Sequence, residues 1–323
     1  MESLIQIKEI IKSKNNYILM GHVDPDGDCL GSLFAMKRYL DSINKDSVIL
    51  LEEPPSSRYD ILEIEPSDYL TFEEFSPSNS IEYVCLALDS GDLERLGPGQ
   101  ELADKYYLIN IDHHLDNPEY GDINYVNSNK AAVGEIIYDF LKLDDEFKIN
   151  KKIGIAIATA VIADTGGLRY QNTTVRIFDL ISEIMNIGVD IYRINRAVFA
   201  GYKFNTVKLK GMALSTLKLH GNGKIAYLRV EKSMLDKTGT DKGDASGLVN
   251  YARDIEGVEV GLVFTEVSED ETRVGFRSNE YCPVNEIAAY FGGGGHSRAA
   301  GCTIDESLDK AEKLVLSKVE EYV

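Results

Sequence analysis

Two clusters and two single carboxylates carry the chemistry open to this chain: His22-Val23-Asp24-Pro25-Asp26-Gly27-Asp28, then Asp112-His113-His114, with Asp89 and Asp164 standing apart. Closed zinc sites favour Cys and His, whereas carboxylate-rich sets with one imidazole per ion suit manganese or magnesium. Two imidazoles make manganese the better fit. Two such ions about 3.5–4 Å apart can activate water and stabilise charge developing on a phosphoryl group and its leaving oxygen. The chemistry implied is hydrolysis of a phosphate ester or anhydride. Taken singly, these residues read as helix caps, turns or solvated surface. Together, each at the edge of an apolar element, they read as one site.

The elements that must position them are visible as apolar runs. Tyr17-Ile18-Leu19-Met20 has strand length and leads directly into the His22 cluster; Tyr83 to Leu88 closes on Asp89, and Tyr107 to Ile111 closes on Asp112. Helical spacing marks Leu4 to Ile11, Cys29 to Leu40, Ile136 to Leu143, Ile153 to Ala163 and Val175 to Ile187. The fourth of these is apolar nearly all round and ends at Asp164-Thr165-Gly166-Gly167. Strands alternating with helices predict an α/β fold with a doubly wound parallel sheet and right-handed crossovers, whose ligands bind outside the carboxyl ends of the strands. The acidic, proline-bearing stretch 51–80 predicts irregular surface structure.

Beyond Gly188 the pattern loosens, and from about Lys208 strands dominate, with Ile225 to Val230, Val258 to Thr265 and Thr272 to Phe276. An amphipathic helix carrying Leu308, Ala311, Val315, Val319 and Tyr322 on one face ends the chain. A length of 323 residues exceeds what one core usually organises. The division expected is a metal-binding domain over 1–188, a linker over 189–206 and a smaller α/β domain over 207–323.

A net charge of −19 argues against long duplex nucleic acid, whose binding draws on many Lys and Arg contacts to phosphate, but allows a small anionic substrate. No apolar run has the length of a membrane span, and Met1-Glu2-Ser3 leads into a charged amphipathic segment, so the expectation is a soluble cytoplasmic protein without a membrane partner. Cys29, Cys85, Cys282 and Cys302 form no CxxC pair and read as buried thiols. In the C-terminal half, Gly292-Gly293-Gly294-Gly295-His296-Ser297-Arg298 offers backbone N–H groups that could approach an anion closely, beside an imidazole and a guanidinium; an ordinary turn is the alternative.

With these residues in place, the chain resembles the DHH phosphoesterase superfamily over essentially its whole length. The N-terminal motifs match His22 to Asp28, Asp89, Asp112 to His114 and Asp164, and the associated C-terminal domain matches Arg277-Ser278 with Gly292 to Gly301. Within that superfamily it is similar to the small stand-alone nano-RNA phosphodiesterases that also act on adenosine 3′,5′-bisphosphate. The resemblance implies that His22, Asp26 and Asp89 hold one ion and Asp28, Asp89, His113 and Asp164 the other, with Asp89 bridging. It makes Asp112 the residue that orients an imidazole. His114 then faces the substrate phosphate, as acid for the leaving oxygen or as stabiliser of the transition state. Arg277 and His296 would grip a terminal phosphate, with Ser278, Gly294, Gly295 and Arg298 close by, which implies an active site in the cleft between the two domains with the 189–206 linker as hinge.

The substrates implied are single-stranded oligoribonucleotides of about two to five units and small nucleotides, with a homodimer allowed. A cyclic-dinucleotide phosphodiesterase, or an enzyme finishing its linear product, is the near rival. A manganese pyrophosphatase is disfavoured because the glycine-rich run stands where that group has a Lys- and Arg-rich segment. A nucleotide-sensing module without turnover is disfavoured because every expected ligand is present. Where many small members have Ser or Thr before the Glu that opens the helix after the Asp-His-His motif, this chain reads Ala131-Ala132-Val133-Gly134-Glu135.

Overall fold

Why three polar clusters meet follows from strand order. The computed structural model describes residues 2–144, 146–245 and 247–323, and for His296 the main chain only. Its N-terminal half runs α1 (Glu2–Ser13), β1 (Asn16–Met20), α2 (Gly27–Ser42), β2 (Asp46–Leu51), β3 (Tyr69–Thr71), β4 (Tyr83–Leu88), α3 (Gln100–Lys105), β5 (Tyr107–Asp112), β6 (Ile123–Val126), α4 (Val133–Lys142), α5 (Lys151–Asp164), α6 (Val175–Asn186) and α7 (Ile191–Phe199). All six strands pair in parallel in the order β3-β2-β1-β4-β5-β6. The order reverses between β1 and β4, and at such a switch point the connections leave in opposite directions and open a crevice at the carboxyl ends. Neighbouring strands lie about 4.8 Å apart, so the ends of β1, β4 and β5 fall within reach of one another.

Burial follows the pleat. Tyr17 and Leu19 of β1 join the large core that includes α1, α2, α4 and α5, while Ile18 and Met20 point to the opposite face with Leu50, Cys85, Ala87 and Ala103. Helices α2, α4 and α5 approach closely through small residues. A Cβ at Gly31 would stand 2.5 Å from the Ala156 carbonyl oxygen and 2.8 Å from the Ala160 nitrogen, and one at Gly134 would stand 2.3 Å from the Ala160 Cβ. In a free helix Gly→Ala gains about 1 kcal/mol. At Gly31 the sign should reverse: Gly31→Ala is expected to cost about 1–3 kcal/mol, as overpacked cores do, seen as a lower melting temperature. An unchanged or raised value would show that α2 and α5 can separate freely.

The chain divides into two compact units, the second being Tyr202–Val323. This second unit runs α8 (Phe204–Leu214), β7 (Lys218–His220), β8 (Ile225–Val230), α9 (Lys232–Thr238), α10 (Leu248–Arg253), β9 (Val260–Ser268), β10 (Glu271–Ser278), α11 (Val284–Tyr290), β11 (Gly294–His296), β12 (Ala299–Ile304) and α12 (Leu308–Val319). Its mixed sheet has the order β11-β12-β10-β9-β8-β7, with only β8 and β9 parallel.

Two sequence expectations meet a different structure, and the segment expected to link the domains is largely helical. Segment 189–206 contains α7, whose Ile194 and Val198 are buried in the first unit's core. Strands do not prevail from Lys208 onward, because α8 spans Phe204–Leu214 and docks through buried Thr206, Leu209 and Ala213. Stretch 51–80 is more ordered than its composition suggests, since a 3₁₀ turn over Ser57–Leu62 buries Tyr59 and Leu62, and β3 extends the sheet. No described helix is long and apolar enough to cross a membrane.

Candidate active site

The first cluster is shaped by the start of α2. Asp26 caps that helix, its Oδ1 accepting the Asp28 and Cys29 N–H groups at 2.9 and 3.1 Å. Asp28, in the first turn and fully buried, accepts N–H groups of Val133 (2.6 Å) and Gly134 (2.9 Å) at the start of α4 and the Ser32 hydroxyl at 3.1 Å. In the same segment Glu135 accepts the Ala131 N–H at 2.9 Å. Asp89 follows β4 with φ +57, a left-handed conformation that Asp tolerates better than most residues. Asp164 is the last residue of α5.

These segments bring the donors together. His22 Nε2 lies 3.8 Å from Asp26 Oδ1 and 3.7 Å from Asp89 Oδ2. His113 Nε2 lies 3.8 Å from Asp28, 3.7 Å from Asp89 and 3.4 Å from Asp164. Asp89 thus belongs to donor sets with both histidines. Donor atoms within 4.8 Å of one another also include Cys29 with His22 and Asp89, and His114 with Asp89 and His113.

The second nitrogen of each ring is tied back. His22 Nδ1 meets the Val23 carbonyl at 2.7 Å, His113 Nδ1 the Lys130 carbonyl at 3.2 Å, and His114 Nδ1 the Asp112 carboxylate at 2.7 Å. Imidazoles that bind metals are usually fixed in this way.

Electrostatics make the same point. Burial first, then the charges of Asp28, Asp26, Asp164 and Asp112, push the Asp89 carboxyl well above its ordinary value. Burial, then Asp28 and Asp26, do the same to Asp164. Asp28 is also raised, by burial against the opposing pull of His113. Burial would raise Asp26 too, but the His22 imidazole and the two α2 N–H groups hold it at about 2. A pocket that crowds carboxylates while aiming imidazoles inward fits hard divalent cations. His22, Asp26, Asp28, Asp89, His113 and Asp164 could hold them. Burial, then the charges of Asp89 and Asp26, push the Cys29 thiol well up.

A model of the DHH family N-terminal domain matches residues 16–164, and one of the DHHA1 domain matches residues 222–323. A bifunctional oligoribonuclease and PAP phosphatase, NrnA, of Thermus thermophilus is 31% identical over 99% of this chain and 94% of its own length. The chain belongs to the DHH family. The Bacillus subtilis protein of the same name is 29% identical over 95% of this chain and 96% of its own. An exopolyphosphatase-related protein from Bacteroides fragilis superposes with a TM-score of 0.90 at 26% identity, covering 99% of this chain and 96% of that one.

In the DHHA1 part, the glycine run is not a free turn: Gly294 to His296 form the edge strand β11, paired antiparallel with β12. Side chains are excluded there by close backbone, since a Cβ at Gly293 would stand 2.2 Å from the Gly301 carbonyl. The Arg277 guanidinium donates to the Phe276 carbonyl at 2.8 Å. Ser278 is buried and its hydroxyl donates to the Cys282 carbonyl at 2.7 Å, while Arg298 donates to the Cys282 and Glu280 carbonyls. Both of these side chains therefore shape the 280–282 loop. The His296 side chain lies outside the described residues.

A polar network behind the DHH motif went unread in the sequence. Asn117 Nδ2 lies 2.7 Å from Asp112 Oδ2 and 2.9 Å from Asn110 Oδ1, and Asn110 Nδ2 in turn lies 3.0 Å from the Tyr120 hydroxyl, which donates to the Ser90 carbonyl at 3.0 Å. Burial would raise Asp112, but hydrogen bonds from His114 and Asn117 bring it below its usual value. The available signal was Asn110, an amide inside an otherwise apolar strand. Asn117→Ala should lower kcat about 10–100-fold, the usual cost of losing such a supporting partner, with KM little changed. A fall in KM-dependent binding alone would place Asn117 outside the positioning of His114.

Proposed function

We propose that this DHH protein is a divalent-metal-dependent phosphoesterase that hydrolyses short single-stranded oligoribonucleotides to mononucleotides and removes the 3′-phosphate of adenosine 3′,5′-bisphosphate. The observation that carries it is the sharing of Asp89 between two imidazole–carboxylate donor sets, in a chain whose full-length relatives bear the oligoribonuclease and PAP phosphatase name. Manganese is the proposed ion. When bound, the ions supply Lewis-acid polarisation of the phosphoryl group and of water.

The chain's own residues do the rest. Asp112 holds His114 by Nδ1, and His114 is proposed to serve the leaving oxygen or the phosphoryl charge. The crowded carboxylates are proposed to hold the cations. Arg277, a planar bidentate donor, and His296 are proposed to take a terminal phosphate. The division into domains 1–188 and 207–323 around segment 189–206 belongs to the same proposal, as does cytoplasmic location.

The test is release of phosphate and mononucleotide, with manganese, from adenosine 3′,5′-bisphosphate, a 5′-phosphorylated diribonucleotide and cyclic di-adenylate in parallel. Turnover of the first two supports this reading. Preference for the cyclic compound would replace it with a cyclic-dinucleotide phosphodiesterase, and silence on all three would leave a binding module.

A further inference from the structure

The chain's charge is unevenly distributed. All 53 Asp and Glu lie outside residues 191–230, a stretch of forty that carries Arg193, Arg196, Lys203, Lys208, Lys210, Lys218, Lys224 and Arg229. In a protein of net charge −19 this segment is a cationic island. Part of it is structural: Arg229 pairs with Asp309 and Glu312, and the Lys210 ammonium stands 3.1 Å from the Tyr202 ring centroid with its residue buried.

The remainder is presented at the surface by α8. That helix buries Thr206, Leu209, Lys210 and Ala213, which leaves Phe204, Val207, Lys208 and Gly211 outward at i, i+3, i+4 and i+7. Phe204 is 72% exposed and Tyr202, just before the helix, 46%. Lys203 and Lys208 are exposed and have no carboxylate partner among the described residues; Lys208 Nζ instead lies 4.9 Å from the Phe204 ring centroid. An apolar side chain this open costs free energy in water unless something covers it. The lysines beside it specify a polyanion, and aromatic rings next to lysines suit unpaired bases strung on phosphates.

We infer that Tyr202, Lys203, Phe204 and Lys208 form a contact surface for single-stranded oligoribonucleotide. The inference rests on the oligoribonuclease reading above and adds to it a basis for preferring longer over shorter substrates. Phosphates are held by Lys203 and Lys208, and a base stacks on Phe204. Because each single-strand phosphate contact contributes about 0.7 to the slope of log K against log salt, two such lysines give binding of longer substrates a salt dependence that a mononucleotide lacks.

The experiment compares the full-length wild type with Phe204→Ala and with the double variant Lys203→Glu/Lys208→Glu. For each, kcat/KM is measured on adenosine 3′,5′-bisphosphate, a diribonucleotide and a pentaribonucleotide, with circular dichroism as the check on folding. The expected result is a ratio of pentamer to bisphosphate kcat/KM about ten-fold lower in both variants, with the salt slope for pentamer binding lowered by about 1.4 in the double variant. Equal losses on all three substrates, or none, would overturn the inference. So would an unchanged length ratio accompanied by a fall in mass by light scattering, which would assign the surface to a second copy of this acidic chain. If the wild type turned over none of the substrates, the activity reading would fail first. Fluorescence anisotropy of a labelled pentaribonucleotide would then decide the surface alone: equal affinity for wild type and both variants would reject it, and weaker affinity for the variants would uphold it.

Discussion

Asp89→Asn should abolish turnover and at the same time raise the melting temperature of the metal-free protein. Asp89 is 2% exposed and lies among Asp26, Asp28, Asp112 and Asp164, so its charge is a burden on the fold wherever no cation offsets it. Asparagine keeps the shape and removes the charge, and with it the donor common to both imidazole sets. A bound divalent ion contributes several kcal/mol of transition-state stabilisation, and each 1.36 kcal/mol is a factor of ten. A loss of at least about 10³-fold in kcat/KM is therefore expected. The stability gain should fall in the range of about 0.5–2 kcal/mol common when a strained functional residue is relaxed, or roughly 2–4 °C per kcal/mol for a body of this size. Steady-state kinetics and thermal melts in chelator check the two halves separately. A variant that kept turnover, or that melted lower than wild type in chelator, would remove Asp89 from the centre of the site.

Removing divalent ions should silence the enzyme and reverse its pH–stability relation. Asp89, Asp164 and Asp28 have carboxyls held above their ordinary value of 3.8, by burial first and by neighbouring carboxylates after it. Between that value and their folded values the folded chain keeps protons that the unfolded chain has released, so stability falls as pH rises. Asp26 and Asp112 are held low and act in the other sense: the stability they contribute is present above pH 3.8 and lost on acidification below it. The two windows do not overlap. Cations that bind the ionised carboxylates reverse the upper window, because metal binding strengthens as the ligands lose protons. At a hundred times its dissociation constant an ion adds about 2.7 kcal/mol. Melting curves with manganese and with chelator should therefore diverge as pH rises above 3.8. Curves that stay parallel would mean that these carboxylates are not the ion's ligands.

Legibility in the sequence tracked how local each determinant is. Strands β1, β4 and β5 were readable because each is a short apolar run ended by an acid or a His cluster, and α5 because Ile153 to Ala163 is apolar on every side. Helix α8 was not, since it contains Thr206, Val207 and Gly211, all poor helix formers, and is held by what it packs on. The α7 spacing of Ile191, Ile194 and Val198 was present but masked by the polar residues between them. The glycine run gave no sign of being a strand, because its pairing with β12 is a property of the partner. In the site, donor types were legible, whereas the amides that clamp Asp28 and the Asn117 to Tyr120 network come from distant segments and carry no side-chain signature at the motif itself.

The Asp28 clamp offers a way to watch the site without any substrate. Its carboxylate receives the main-chain N–H groups of Val133 and Gly134 directly, so those two amides stand one side chain away from whatever Asp28 holds. In a nitrogen-15 spectrum they should act as built-in antennae. A paramagnetic ion such as manganese would bleach their resonances, and a diamagnetic one such as magnesium would only shift them. Titrating one ion against the other would then let the protein's own backbone report which metal it prefers.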